Sequence, residues 1–164
     1  MRLAAVMLFL AALAVAAVAK DASPEVAKSV EPVSGTSIED LFRKFDLFGA
    51  WATDCKREAS PANPHVSVSN PSPGLVLEEH DLGSSYVVNS YSVLSAEALS
   101  PTRLALEVIF QPGKEGEQRQ KLILQIRDKT RRTLFNQPEG GPVRVKDGVA
   151  VGHDVRTPLL RKCE

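Results

Sequence analysis

From Gly49 onward, apolar side chains recur at every second position in one short run after another. Leu104, Leu106, Val108 and Phe110 alternate with Arg103, Ala105, Glu107 and Ile109, and Leu122, Leu124 and Ile126 alternate with Lys121, Ile123, Gln125 and Arg127. Shorter runs of the same kind cover Trp51 to Cys55, Val66 to Val68, Leu75 to Leu82, Tyr86 to Leu94, Arg131 to Asn136, Val143 to Val145 and Val149 to Val151. A period of two puts successive side chains on opposite faces of a strand, so each run offers one apolar face. Turn residues separate the runs: Asn70-Pro71-Ser72-Pro73-Gly74, Ser100-Pro101, Gln111-Pro112-Gly113, Pro138 to Pro142 and Asp147-Gly148. Short loops between consecutive strands mean antiparallel neighbours, and Asp147-Gly148 is the sharpest hairpin signal. The pattern predicts an all-β domain, a small antiparallel meander or up-and-down barrel of about eight strands, because each apolar face must be covered.

One helix precedes the strands. Ser37 stands before Ile38, with Asp40 three residues later, and Ile38, Leu41, Phe42 and Phe45 fall on one stripe. This is a capped N-terminus on a helix of about two turns, too short to persist unless it packs on something. The segment from Lys20 to Thr36 carries Pro24, Pro32 and Gly35 without an apolar period and reads as a flexible N-terminal linker. Before it, Met1-Arg2, the apolar Leu3 to Val18 and the small-x-small Ala17-Val18-Ala19 form a secretory signal peptide over residues 1–19. That organisation leaves one domain over residues 37–164. It also predicts a periplasmic or secreted protein without a transmembrane segment after cleavage.

The chain has two cysteines, Cys55 and Cys163, both beyond the signal. In an oxidising compartment an even count reads as a disulfide, here joining the first strand to the tail.

Lys plus Arg and Asp plus Glu number 20 each, and loss of Arg2 shifts that balance by a single charge. Such a chain has no electrostatic footprint for nucleic acid or for an anionic membrane. The local cluster Arg127, Lys129, Arg131 and Arg132 reads as a solvated turn and the polar face of a strand.

Gly49-Ala50-Trp51 stands between the short helix and the first strand. There the chain resembles the lipocalin-like (calycin) barrels, whose first strand opens with G-x-W. The resemblance implies that Trp51 plugs the closed end of a barrel, packed on a basic side chain near the last strand. Arg161 is the counterpart by position. The later T-D-Y type motif of those barrels is missing. The longer string Gly49-Ala50-Trp51-Ala52-Thr53-Asp54-Cys55, with Ser60 to His65 and Cys163, is similar to a group of small secreted bacterial proteins of unknown function. That similarity supports the pairing of Cys55 with Cys163.

Catalytic chemistry has no foothold in the motifs. There is no G-x-S-x-G elbow, no S-x-x-K and no glycine-rich loop leading into a helix. His65, His80 and His153 stand too far apart for zinc spacing, so neither a metal nor a cofactor is expected. Glu78-Glu79-His80-Asp81 reads as a surface strand. Asn63 and His65, in the stiff Pro61-Ala62-Asn63-Pro64-His65 loop, are candidate ligand contacts, set against a turn in which they satisfy the backbone. The expected function is an exported, non-enzymatic β-barrel binding a small or apolar ligand or a partner protein of the envelope. Three alternatives stand beside it. One is a protease inhibitor using the arm from Lys20 to Gly35. Another is an enzyme assembled from His65, His80, His153, Asp54 and Glu79. The third is an envelope-interaction module presenting Phe42, Phe45 and Phe48.

Overall fold

A computed structural model describes residues 35–164. The signal peptide and nearly all of the linker lie outside the described residues. The helix α1 spans Ile38–Lys44; Ser37 Oγ accepts the Asp40 backbone N–H, as its capping pattern predicts. Its stripe delivers Leu41, Phe42 and the C-cap Phe45 into the core. An exposed phenylalanine patch, the feature that an envelope module would show, is therefore not what this helix presents.

Eleven strands follow: β1 (Gly49–Ala52), β2 (His65–Ser72), β3 (Leu75–Asp81), β4 (Asn89–Ser100), β5 (Arg103–Phe110), β6 (Gln118–Arg127), β7 (Thr130–Pro138), β8 (Val145–Lys146), β9 (Val149–Ala150), β10 (Val155–Arg156) and β11 (Leu160–Lys162). Strands β1 to β7 and β11 form a closed eight-stranded antiparallel barrel. Closure falls on β7, which pairs with β6 along one edge and with β11 on the other, Leu160 opposite Arg131. The far half of that second edge takes β8 instead, Asn136 opposite Val145. Strands β8 to β10 thus form a small excursion from the barrel wall. Its β8–β9 turn is Asp147-Gly148, both residues at positive φ (52° and 76°), as the hairpin signal predicts.

Several segments depart from the alternation. β1 stops at Ala52, so Cys55 lies in the loop after the strand rather than on it. The residues 86–88 are exposed loop; the strand begins at Asn89 and runs on to Ser100. The tail after Thr157, too short to assign from its pattern, supplies the barrel strand β11.

The tail is held at its end. Cys55 and Cys163 are joined, with their Cα atoms 5.7 Å apart, and the Cys163 N–H donates to Ala50 O at 2.8 Å. The core runs from α1 through Trp51, Val66, Val68, Val76, Val93, Leu104, Leu106, Val108 and Leu124. Trp51 is 1% exposed and donates its indole N–H to Leu47 O at 2.8 Å, which ties the barrel floor to the chain leaving α1.

Candidate functional site

The pleat sends alternate residues of each strand into the barrel, and the same parity that fills one end leaves space at the other. Glu39 marks the filled end: its carboxylate accepts from Gly74 N and Asn70 Nδ2 at the β2–β3 turn. At the opposite ends of these strands, Pro64, Val66, His80 and Tyr91, with Leu122, Leu124, Val145, Pro158 and Leu160, line a partly open cavity of about 200 Å³. Its walls are mainly apolar, but a polar cluster lies within them.

Arg131 is the centre of that cluster. It is 3% exposed, and its guanidinium lies 5.6 Å from the centroid of the Trp51 ring. One Nη2–H donates to Glu78 Oε1 at 2.5 Å, and His80 Nε2 lies 2.6 Å from the same oxygen. Burial alone pushes the Glu78 carboxyl up; the charge of Arg131 and the bond from His80 outweigh it and hold the group at about 2. Tyr91 packs on His80 (ring centroids 4.9 Å apart) and on Phe110 (5.2 Å). Its phenol is pushed up to about 12, first by burial and then by the Glu78 charge. Arg132 also lines the cavity, donating from Nη2 to Thr157 O at 2.9 Å. Two buried N–H groups of this cluster have no partner among the described residues: Arg131 Nη1 and Arg132 Nε.

The second cation over Trp51 is Lys162, its Nζ 5.6 Å from the ring centroid and also bonded to Asp46. This corrects the assignment of Arg161 as the basic partner of the plug. In the β1–β11 register Trp51 faces Lys162, whereas Arg161 faces Ala52 and is exposed. One residue along a strand changes the face.

Two further expectations are revised by side-chain parity. The basic cluster is not wholly solvated, because Arg131 turns inward while Arg127 and Lys129 stay exposed. Nor is Glu78-Glu79-His80-Asp81 simply a surface strand: Glu78 and His80 face the cavity. Glu79 instead shares a groove on the outer face with His65 and Asp81.

The candidate contacts Asn63 and His65 serve the loop. Asn63 is 4% exposed; its Oδ1 accepts from Asp54 N at 2.7 Å, and its Nδ2 reaches the carbonyls of Asp54, Arg57 and Glu58 and His65 Nε2. It organises the segment between β1 and β2 and has nothing left for a ligand in the barrel. Of the residues proposed for a dispersed catalytic site, only His80 reaches the cavity; His153 is exposed in the β9–β10 turn. Among the described residues no group of three or more His, Cys, Asp or Glu side chains is placed to hold a metal ion, and no helix is long and apolar enough to cross a membrane.

Sequence reasoning missed Arg131, Glu78 and Tyr91 as lining residues. The available signal was parity. Glu78 sits at an apolar-phase position, two residues after Val76, whereas the run from Arg131 to Asn136 mixes polar and apolar residues in both phases and marks no inward face. Comparison with protein-family models, with curated proteins and with solved structures finds no match for this chain.

Proposed function

We propose that this protein is an exported, non-enzymatic barrel that carries a small ligand in its lumen. One observation carries the reading: the barrel is closed and its core filled at the α1 end, yet about 200 Å³ remains open among Val66, Leu122, Leu124 and Leu160. Interiors of this size normally pack tightly, so a retained cavity with a few polar groups is the usual form of a small-molecule site. A volume of about 150 Å³ accommodates benzene, so this partly open cavity has room for a ring-sized compound. The burial of Trp51 at the barrel floor, beneath the Arg131 and Lys162 cations, supports a barrel with one end closed. The Cys55–Cys163 bridge and the signal-like N-terminus support a periplasmic or secreted setting.

The test is a fluorine-NMR titration of the full-length protein with ring-sized probes, neutral and charged. Saturable binding that is lost in Leu122→Trp, which fills the lumen, is the expected result. Failure of every probe to bind saturably overturns the reading.

A further inference from the structure

We propose that the ligand is a small organic monocarboxylate with an apolar body, received by Arg131 and Arg132. This deepens the lumen reading and rests on it. Both arginines line the cavity, and each keeps one buried N–H without a partner among the described residues. Buried donors in native proteins are almost always satisfied, so two on guanidinium groups that line one cavity call for an acceptor that the described residues do not supply. A guanidinium has no acceptor of its own, and its fork matches a planar carboxylate.

Charge decides between anions. Two guanidinium groups line the cavity, Arg131 from inside the barrel and Arg132 from its rim beside Thr157, against the single carboxylate of Glu78. Arg131 Nη2 and His80 Nε2 both contact Glu78 Oε1. Arg132 has no carboxylate within ion-pair distance among the described residues. The surplus is one positive charge, which a monoanion balances; a dianion such as hydrogen phosphate would leave an uncompensated negative charge among mainly apolar walls. The rest of the wall, with Val66, Leu124 and Leu160, sets the other requirement: an apolar body of ring size, as in benzoate.

The experiment compares 4-fluorobenzoate, 4-fluorobenzyl alcohol and inorganic phosphate on the full-length protein at pH 8, where phosphate is mostly the dianion, by fluorine NMR and calorimetry. The carboxylate is expected to bind at least tenfold tighter than the alcohol, and phosphate more weakly than the carboxylate. Arg132→Gln, chosen because Arg131 also supports the fold, should weaken the carboxylate at least tenfold and leave the alcohol unchanged. Glu78→Gln, which keeps an acceptor for Arg131 but removes a repelling charge, should tighten the carboxylate several-fold; a purely structural pair would not show this gain. Equal binding of alcohol and carboxylate, tighter binding of phosphate, or an unaltered Arg132→Gln protein overturns the carboxylate assignment while the lumen reading stands. No binding of any probe overturns both.

Discussion

Glu78 and Arg131 lie 53 residues apart in the chain and meet inside the barrel, carboxylate oxygen to Nη2, with the Trp51 ring beneath the guanidinium. Both side chains are almost wholly removed from water. Such a pair gains little over apolar residues of the same size, but leaving one charge alone is expensive. Glu78→Ala is therefore expected to lose about 3–5 kcal/mol in urea unfolding, whereas Glu78→Leu combined with Arg131→Met should be near neutral or more stable. A double variant as unstable as the sum of the singles would refute the pairing.

The same pair predicts an acid limb. Glu78 is held at about 2 against an ordinary value of 4.5. A lowered carboxyl stabilises the fold fully above its unfolded value, and that contribution disappears as pH falls from about 4.5 through 2. The loss is on the order of 3 kcal/mol. Unfolding free energies measured across this window should decline in the wild type and decline less in the Glu78→Leu, Arg131→Met variant. Parallel curves would assign the acid sensitivity elsewhere.

The meander from β2 to β7 was legible because the alternation is long and the turn residues are unambiguous, most clearly in β5 and β6, and so was the Asp147-Gly148 hairpin; β10 and the closing strand β11 were too short to read. The site was not legible, for two physical reasons. The first is that a charged residue is read as outward by default, and only a partner supplied by a distant strand makes an inward arginine tolerable. Nothing near Arg131 names Glu78. The second is the irregularity of β7 beside β6: Ile123 pairs with Phe135 and Leu124 with Thr133, so Leu134 is an extra residue. That bulge changes parity within the strand and brings both Thr133 and Asn136 to the lumen, which a strict period of two forbids.

The disulfide ties the loop after β1 to the end of β11 across 108 residues. Closing a loop on the order of 100 residues removes about 4.7 kcal/mol of unfolded-state entropy in the chain-entropy model. Cys55→Ser with Cys163→Ser should lose several kcal/mol in denaturant unfolding and lower the melting temperature, with the β signature of the circular dichroism spectrum retained at low temperature. An unchanged midpoint would show that β11 is held in the wall by its ladder bonds and Lys162 alone.

Asn63 separates a structural role from a binding one. Its amide replaces backbone partners for the loop carbonyls of Asp54, Arg57 and Glu58 and for the Asp54 N–H. Asn63→Ala leaves these buried groups short of partners, at about 1–3 kcal/mol. Melting should fall accordingly, while the affinity of any lumen probe stays within twofold. A selective loss of binding without loss of stability would return Asn63 to the ligand site.

Lys162 and Arg161 are neighbours on β11 with opposite orientations, and the difference is measurable through the only tryptophan. Lys162 stands over the Trp51 ring and bonds Asp46, an exposed acid, so the ion pair itself contributes no more than about 1 kcal/mol. A cation above an indole adds about 0.5–1 kcal/mol where solvent reaches it. Lys162→Met should thus destabilise by on the order of 1–2 kcal/mol and shift the Trp51 fluorescence, because the charge above the ring is gone. Arg161→Met alters an outward side chain opposite Ala52 and should change neither by more than a few tenths of a kcal/mol. A fluorescence shift in Arg161→Met with none in Lys162→Met would reverse the register between β1 and β11, and with it the face on which Leu160 and the lumen wall stand.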